Sequence, residues 1–357
     1  MHSPHSFSFA LTLILSMKHC TAFSLKMSNV LSVQECIKRF QNKTSKFIDG
    51  SWHLTKDRDA RKEYEQGPRI PNAIFFDIDD VATKDGAQDV ASLGEQQQQQ
   101  YGMNLPHMMP SKELFGAFMD AVGIRETDDL IVYGTKGTFS VPRAFYTLRE
   151  CGHGTKNTIH FNNIHMMDGS LQDWIDAGGE VETEMKSSIR VCDLHTIDSN
   201  RDNENMYKYR ASDTTHIKTY PEMLQIVQDG QTGRETSSII VDARSSARFY
   251  GEAPEPRPGI PSGHMPGSKN LPFHLLLDEN NMSKFKPKEE MMKVFHDAGI
   301  DVHSEKEIIT TCGSGVTACV IALALEECGR DRDSIKVFDG SWIEWASLEG
   351  SPIVTQE

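Results

Sequence analysis

One supersecondary unit is written twice in this chain. Arg149 opens "RECGH…MMDGSLQDWIDAGGEV" and Glu326 opens "EECGR…VFDGSWIEWASLEGSPI", so that Asp168-Gly169-Ser170 and Trp174 match Asp339-Gly340-Ser341 and Trp345. Upstream, "DDLIVYGTKGTFSVPRAFYTL" from Asp128 parallels "KEIITTCGSGVTACVIALAL" from Lys306. Further upstream, "IPNAIFFDI" from Ile70 parallels "MPGSKNLPF" from Met265, and "KFIDGSW" parallels "IIVDARS". Four matches in one order predict two copies of one α/β unit, at residues 28–181 and 213–357. The polar segment 182–212, with "DSNRDNENMYKYRAS", reads as a linker, and Gln96 to Gln100 as a low-complexity insertion in the first copy. As a complete unit, the second copy is expected to fold alone as a soluble fragment.

Within each copy the motif is strand, glycine loop, helix. Glu307 to Thr311, rich in β-branched residues, predicts a short buried strand. Val316 to Cys328 predicts a mostly buried helix capped by Gly329. Cys312 then stands at the carboxyl end of a strand, where α/β sheets place their chemistry. Gly313-Ser314-Gly315 can turn backbone N–H groups inward at a helix start, a cradle for an anion, and a thiolate is an anion. A buried inert cysteine is the plain alternative; the loop argues for the reactive one. The first copy puts Tyr133 where the second has Cys312, and its loop holds no cysteine. One copy is equipped for chemistry, and the other is a scaffold or completes the site.

The net charge of −14 argues against nucleic acid and anionic membrane as partners. An anionic substrate then requires locally concentrated arginine. Seven cysteines without a CxxC pair indicate neither a zinc site nor a disulfide framework, and no metal or organic cofactor is expected. Ser6 to Met17 is an apolar run of signal-peptide length followed by Cys20-Thr21-Ala22-Phe23, so residues 1–27 read as a presequence. That implies a mitochondrial or plastid destination for a mature protein that is not membrane-embedded. Initiation at Met27 would instead give a cytosolic form.

Tandem halves with "TCGSGVTAC" in the second resemble the rhodanese-like sulfurtransferases, and among them the members that take 3-mercaptopyruvate. The resemblance spans Val30 to Pro352 and includes "FIDGSWHL", "LPHMMPS", "SVPRAF" and "VFDGSWIEWA". It implies two tandem rhodanese-like domains, each a mostly parallel sheet flanked by helices, and sulfur transfer through a Cys312 persulfide. Thiosulfate-preferring members usually carry basic residues directly after the cysteine; Gly313 and Ser314 stand there instead, which points to 3-mercaptopyruvate. The resemblance further implies that Arg248 in "ARFYGE" and Arg257 in "APEPRPGI" hold the substrate carboxylate and ketone. Arg143, Gly313, Gly315, Val316 and Thr317 complete the implied substrate site. Ser314, His107 in "LPHMMP" and Asp79 in "FFDID" match a proton relay, and the implied sulfur acceptor is thioredoxin, glutathione or cyanide.

Each residue has a plainer reading. Two loop arginines beside acidic residues are often surface ion pairs of small worth. A guanidinium also binds a carboxylate bidentately, which an acidic protein needs for a 2-oxo acid. His107 can be a packed loop histidine and Asp79 a turn cap, but a carboxylate orienting a histidine is a recurrent way of handling protons near neutral pH. Asp242 and Arg244 read as a structural strand-end pair, and Trp342 and Trp345 as core. A phosphatase of the Cys-x5-Arg type is excluded, because Ala318 occupies the arginine position. A non-catalytic binding module fits the first half but not the second, and a thiosulfate-preferring enzyme on the same scaffold is the nearer alternative.

Overall fold

The computed structural model describes residues 28–83, 105–153, 163–196, 207, 216–234 and 236–355. The expected presequence and the Gln96 to Gln100 insertion lie outside them, as does most of 197–215. In the first half the strands are β1 (Val30–Ser32), β2 (Lys46–Asp49), β3 (Ile74–Phe75), β4 (Leu130–Tyr133) and β5 (Ile164–Asp168). The second half has β6 (Ile217–Lys218), β7 (Ser238–Asp242), β8 (Lys269–Asn270), β9 (Glu307–Thr311) and β10 (Ile335–Phe338). The sheets have the same order, β1-β5-β4-β2-β3 and β6-β10-β9-β7-β8, and every strand pair in them is parallel. Helices cover both faces, which is why β4 and β10 are buried along their whole length.

The registers align the copies residue by residue. Tyr133 pairs with Asp49, and Thr311 with Asp242. Gly50 donates its N–H to the Tyr133 carbonyl as Ala243 does to that of Thr311. The equivalent of Cys312 is therefore Gly134, one residue beyond the expected Tyr133. The next contact agrees: Leu171 N–H bonds the Gly134 carbonyl at 2.8 Å and Trp342 N–H the Cys312 carbonyl at 2.9 Å. Similar glycine-containing loops hid the offset, and only the ladder resolves it.

The helix after Cys312 spans Ala318–Glu327, two residues later than its apolar pattern suggests, because Gly315 sits at φ +80° and Val316-Thr317 form a turn. It packs against the helix Val141–Glu150, and every residue of the latter is buried. Phe145, Leu148, Cys319 and Leu323 belong to one hydrophobic core that runs through both halves. Buried charges close its edge. Arg149 forms two bonds with Glu326, at 2.9 and 2.6 Å, and Glu150 takes Arg332 at 2.7 Å and His216 at 2.8 Å. The shared core argues against the expectation of an independently folding second half, since separation would strip an apolar helix face of its cover.

A reciprocal pair of contacts completes the two-fold relation. Asp339, after β10, accepts the Met109 N–H at 2.9 Å, and Asp168, ending β5, accepts the Phe285 N–H at 3.1 Å. Each half thus holds the loop that leads into a helix of the other. The described start of the expected linker lies along the first half: Glu182 and Arg69 exchange backbone bonds at 2.9 and 3.1 Å. Among the described residues, no helix is long and apolar enough to cross a membrane.

Candidate functional site

Cys312 is buried at the end of β9, and its surroundings follow from the Asp339-Gly340-Ser341-Trp342 turn. Ser341 adopts φ +52°, which brings its hydroxyl under the loop. That hydroxyl accepts the Cys312 N–H at 3.2 Å and donates to the Phe338 carbonyl at 2.8 Å. Trp342 and Ile343 donate N–H groups to the carbonyls of Cys312 and Gly313 at 2.9 and 3.0 Å. With these carbonyls tied to the following helix, the N–H groups of residues 313–317 have no acceptor among the described residues. Unpaired donors ahead of a helix start form an anion cradle.

The cleft over Cys312 is lined from both halves: Trp52, Leu54 and Phe139 from the first, and Arg248, Arg257, Phe273, Gly313, Ser314, Val316 and Thr317 among those from the second. Gly315 is not among its lining residues. Its carbonyl faces the Arg143 guanidinium at 3.4 Å, and a Cβ at Gly315 would meet the Asp339 carbonyl at 2.7 Å, so only glycine fits.

The two expected substrate arginines differ. Arg248 is held through Nε and Nη2 by Glu255, whose side chain is buried and also binds Arg244 at 2.8 Å. Arg257 is half-buried, and its guanidinium has no ion-pair or hydrogen-bond partner among the described residues. Burial holds its guanidinium below the ordinary value against the pull of Asp79 and Cys312, and the charge of Arg248 adds to the depression. A desolvated, unpaired guanidinium beside a cysteine suits an anionic group. Arg244 is occupied: it binds Asp242 through two nitrogens and lies 4.1 Å from the Trp342 ring centroid.

Behind the Trp52 wall stand Asp79 and His107. Trp52 Nε1–H donates to Asp79 Oδ2 at 2.6 Å, and its ring meets the His107 ring edge-on at 4.7 Å. His107 Nδ1 lies 2.6 Å from Asp79 Oδ1, an ion-pair separation whose angle falls outside hydrogen-bonding geometry, and Nε2 has no hydrogen-bond partner. Burial opposes ionisation of Asp79, yet the contacts with His107 and Trp52 and the charge of Arg257 hold its carboxyl below the ordinary value. The structure brings Asp79 and His107 together and leaves the Ser314 hydroxyl unbonded to His107.

Arg143 is placed elsewhere than expected. Its guanidinium is buried outside the cleft lining, bonded to Asp339 Oδ1 at 2.7 Å, to the His107 carbonyl and to the Gly315 carbonyl. Although burial opposes its charge, the Asp339 carboxylate holds it above its ordinary value. With both terminal nitrogens bonded to the chain itself and its Nε buried away from the cleft lining, Arg143 does not line the substrate cleft. Trp52, Glu255 and Ser341 were not foreseen. The first and last sit in matched "GSW" segments, a signal that reads as repeat framework; Glu255 sits beside an arginine, which reads as a surface pair.

Comparison with known proteins follows the same lines. Residues 221–348 match the rhodanese-like domain family. The chain is 32% identical over 332 residues, covering 92% of it and 78% of the relative, to an Arabidopsis thaliana protein named thiosulfate/3-mercaptopyruvate sulfurtransferase 1, mitochondrial. It is 30% identical to human 3-mercaptopyruvate sulfurtransferase over 84% of both chains. The crystal structure of Tum1 from Saccharomyces cerevisiae superposes with a TM-score of 0.71 at 27% identity, covering 92% of this chain and 99% of that one.

Proposed function

This chain belongs to the rhodanese-like sulfurtransferases, and from that premise we propose that it moves the sulfur of 3-mercaptopyruvate through a persulfide on Cys312 to an acceptor thiol or cyanide. The observation that carries the reading is the unpaired Arg257 guanidinium lining the same cleft as Cys312. A guanidinium fork suits the carboxylate of a 2-oxo acid, with Arg248 as second donor through its remaining N–H groups. Gly313 and Ser314, following the cysteine, add no cation beside the thiol for a sulfonate-like donor.

In the proposed reaction the Cys312 thiolate attacks the substrate sulfur. The S–S bond forms, the C–S bond breaks, and its electron pair leaves as the enolate of pyruvate. The thiol proton of the substrate passes to the enolate carbon, giving pyruvate and an anionic persulfide. His107, held against Asp79, and the Ser314 hydroxyl are the groups proposed to handle that proton. The N–H groups of residues 313–317 hold the persulfide charge. The acceptor (thioredoxin, glutathione or cyanide) then takes the outer sulfur and restores the thiolate.

Mass spectrometry of the intact chain after 3-mercaptopyruvate tests this. Addition of one sulfur to the Cys312 peptide is the expected result; release of pyruvate from an unmodified peptide overturns the scheme. Thiosulfate is the second reading, favoured by the double name of the Arabidopsis relative. Single-turnover rates with the two donors separate them. That relative's mitochondrial name also supports organellar import of this chain, and terminal sequencing of the mature protein tests it.

A further inference from the structure

We propose that Arg143 and Asp339 are positioning residues that seat the histidine loop of the first half on the cysteine loop of the second. This deepens the reading given above and rests on it for the proton-handling role of His107. The geometry makes the pair a hub. Asp339 takes the Met109 N–H on one carboxylate oxygen at 2.9 Å and Arg143 on the other at 2.7 Å. Arg143 bonds the His107 carbonyl and, at 3.4 Å, the Gly315 carbonyl. Two residues thus bind both loops, at His107 and Met109 on one side and at Gly315 on the other.

The two-fold relation supplies an internal control. Met109 and Phe285 are equivalent, since each is held by the aspartate of the opposite half; His107 is therefore equivalent to Ser283. Asp168 holds Phe285 at 3.1 Å and forms no ion pair with an arginine among the described residues. The arginine is present on the side whose loop carries the histidine. His107 itself sits at φ +61°, a backbone conformation that side-chain-bearing residues adopt only when neighbours hold them there, and the bond from Arg143 falls on that same residue.

The test uses the full chain labelled with 15N, in which four tryptophan indoles report separately. Trp52 touches both Asp79 and His107, whereas Trp174 donates to the Glu180 carbonyl at 2.8 Å, away from the cleft. Arg143→Lys keeps a charge for Asp339 and loses the bonds to both loops. The expected result is a shifted Trp52 indole resonance and an unmoved Trp174. Turnover with 3-mercaptopyruvate should fall about a hundredfold with KM nearly constant, the scale of a misplaced catalytic group. Alkylation of Cys312 by iodoacetamide should persist. Asp339→Asn, which keeps the shape and one acceptor, is the second variant and should move the same resonance. An unmoved Trp52 in both variants overturns the proposal, whatever the turnover. A shifted Trp52 with undiminished turnover upholds the seating and removes His107 from the reaction, so the two readings fail separately.

Discussion

Gly134 and Cys312 occupy the same position in the two copies, each with its carbonyl bonded to the N–H of the residue that follows the Asp-Gly-Ser turn. They differ in room. A Cβ at Gly134 would lie 2.5 Å from Thr138 Cγ2 and 2.6 Å from Val141 Cγ2, so side chains of its own loop and of the following helix fill the space that the thiol has in the second copy. Gly134→Cys is expected to destabilise the chain by about 1–3 kcal/mol through overpacking. It should create no second sulfur-accepting site. Denaturant midpoints check the first outcome, and counting sulfur atoms added per chain checks the second.

The two clamp arginines should separate by their partners. Lysine at either place keeps charge and loses the planar fork, with turnover efficiency on 3-mercaptopyruvate falling tenfold for each ~1.4 kcal/mol lost. Arg257→Lys breaks no ion pair among the described residues and should leave stability unchanged. Arg248→Lys disturbs the pair with buried Glu255 and should lower stability as well, by about 1 kcal/mol. Steady-state kinetics with parallel urea titrations distinguish the two patterns. Unchanged kinetics in both variants would return these arginines to ordinary surface charges.

Glu344 gives the fold a pH dependence. It is buried on the helix Ser341–Ser347, and burial, reinforced by the Asp339 charge, pushes its carboxyl up to about 8 from an ordinary 4.5. The native state therefore binds this proton more tightly than the unfolded chain does. Its favourable share is complete below the ordinary value, declines as pH rises towards about 8, and is fully lost above it. Glu344→Gln should flatten that decline and be the more stable form in mild alkali, by an amount on the order of 1–3 kcal/mol. Unfolding free energies of the two chains across that range give the answer.

A fragment carrying only the second half should aggregate. Its helix Ala318–Glu327 is buried along nearly its whole length, in part by Val141–Glu150 of the first half, and Glu326 would lose Arg149. Light scattering of the purified fragment against the full chain is the direct measure; a monomeric, soluble fragment would show that the shared core is dispensable.

The duplicated architecture was legible because strand composition and the Asp-Gly-Ser turns recur in order, and periodicity survives divergence. The position of the missing cysteine was not, because two similar glycine loops align equally well with an offset of one, and only hydrogen-bond registers break the tie. Cys312, Arg248 and Arg257 were readable from local chemistry and the family pattern, and the structure lines one cleft with all three. Arg143 was misread for the opposite reason. An arginine near a site looks the same in sequence whether it faces a ligand or a buried carboxylate, and its partner Asp339 lies in the other half. The contrast between free Arg257 and restrained Arg248 likewise depends on where Glu255 points.

The reciprocal holds of Asp339 on Met109 and Asp168 on Phe285 are those of a symmetric dimer, here made within one chain. Two separate subunits that shared a site in this way would lose it on dilution. Covalent joining replaces their concentration with a fixed effective one, so the histidine-bearing loop stays bound to the second copy at any protein level. The first copy then needs no cysteine of its own, because what it contributes is a permanently present neighbour.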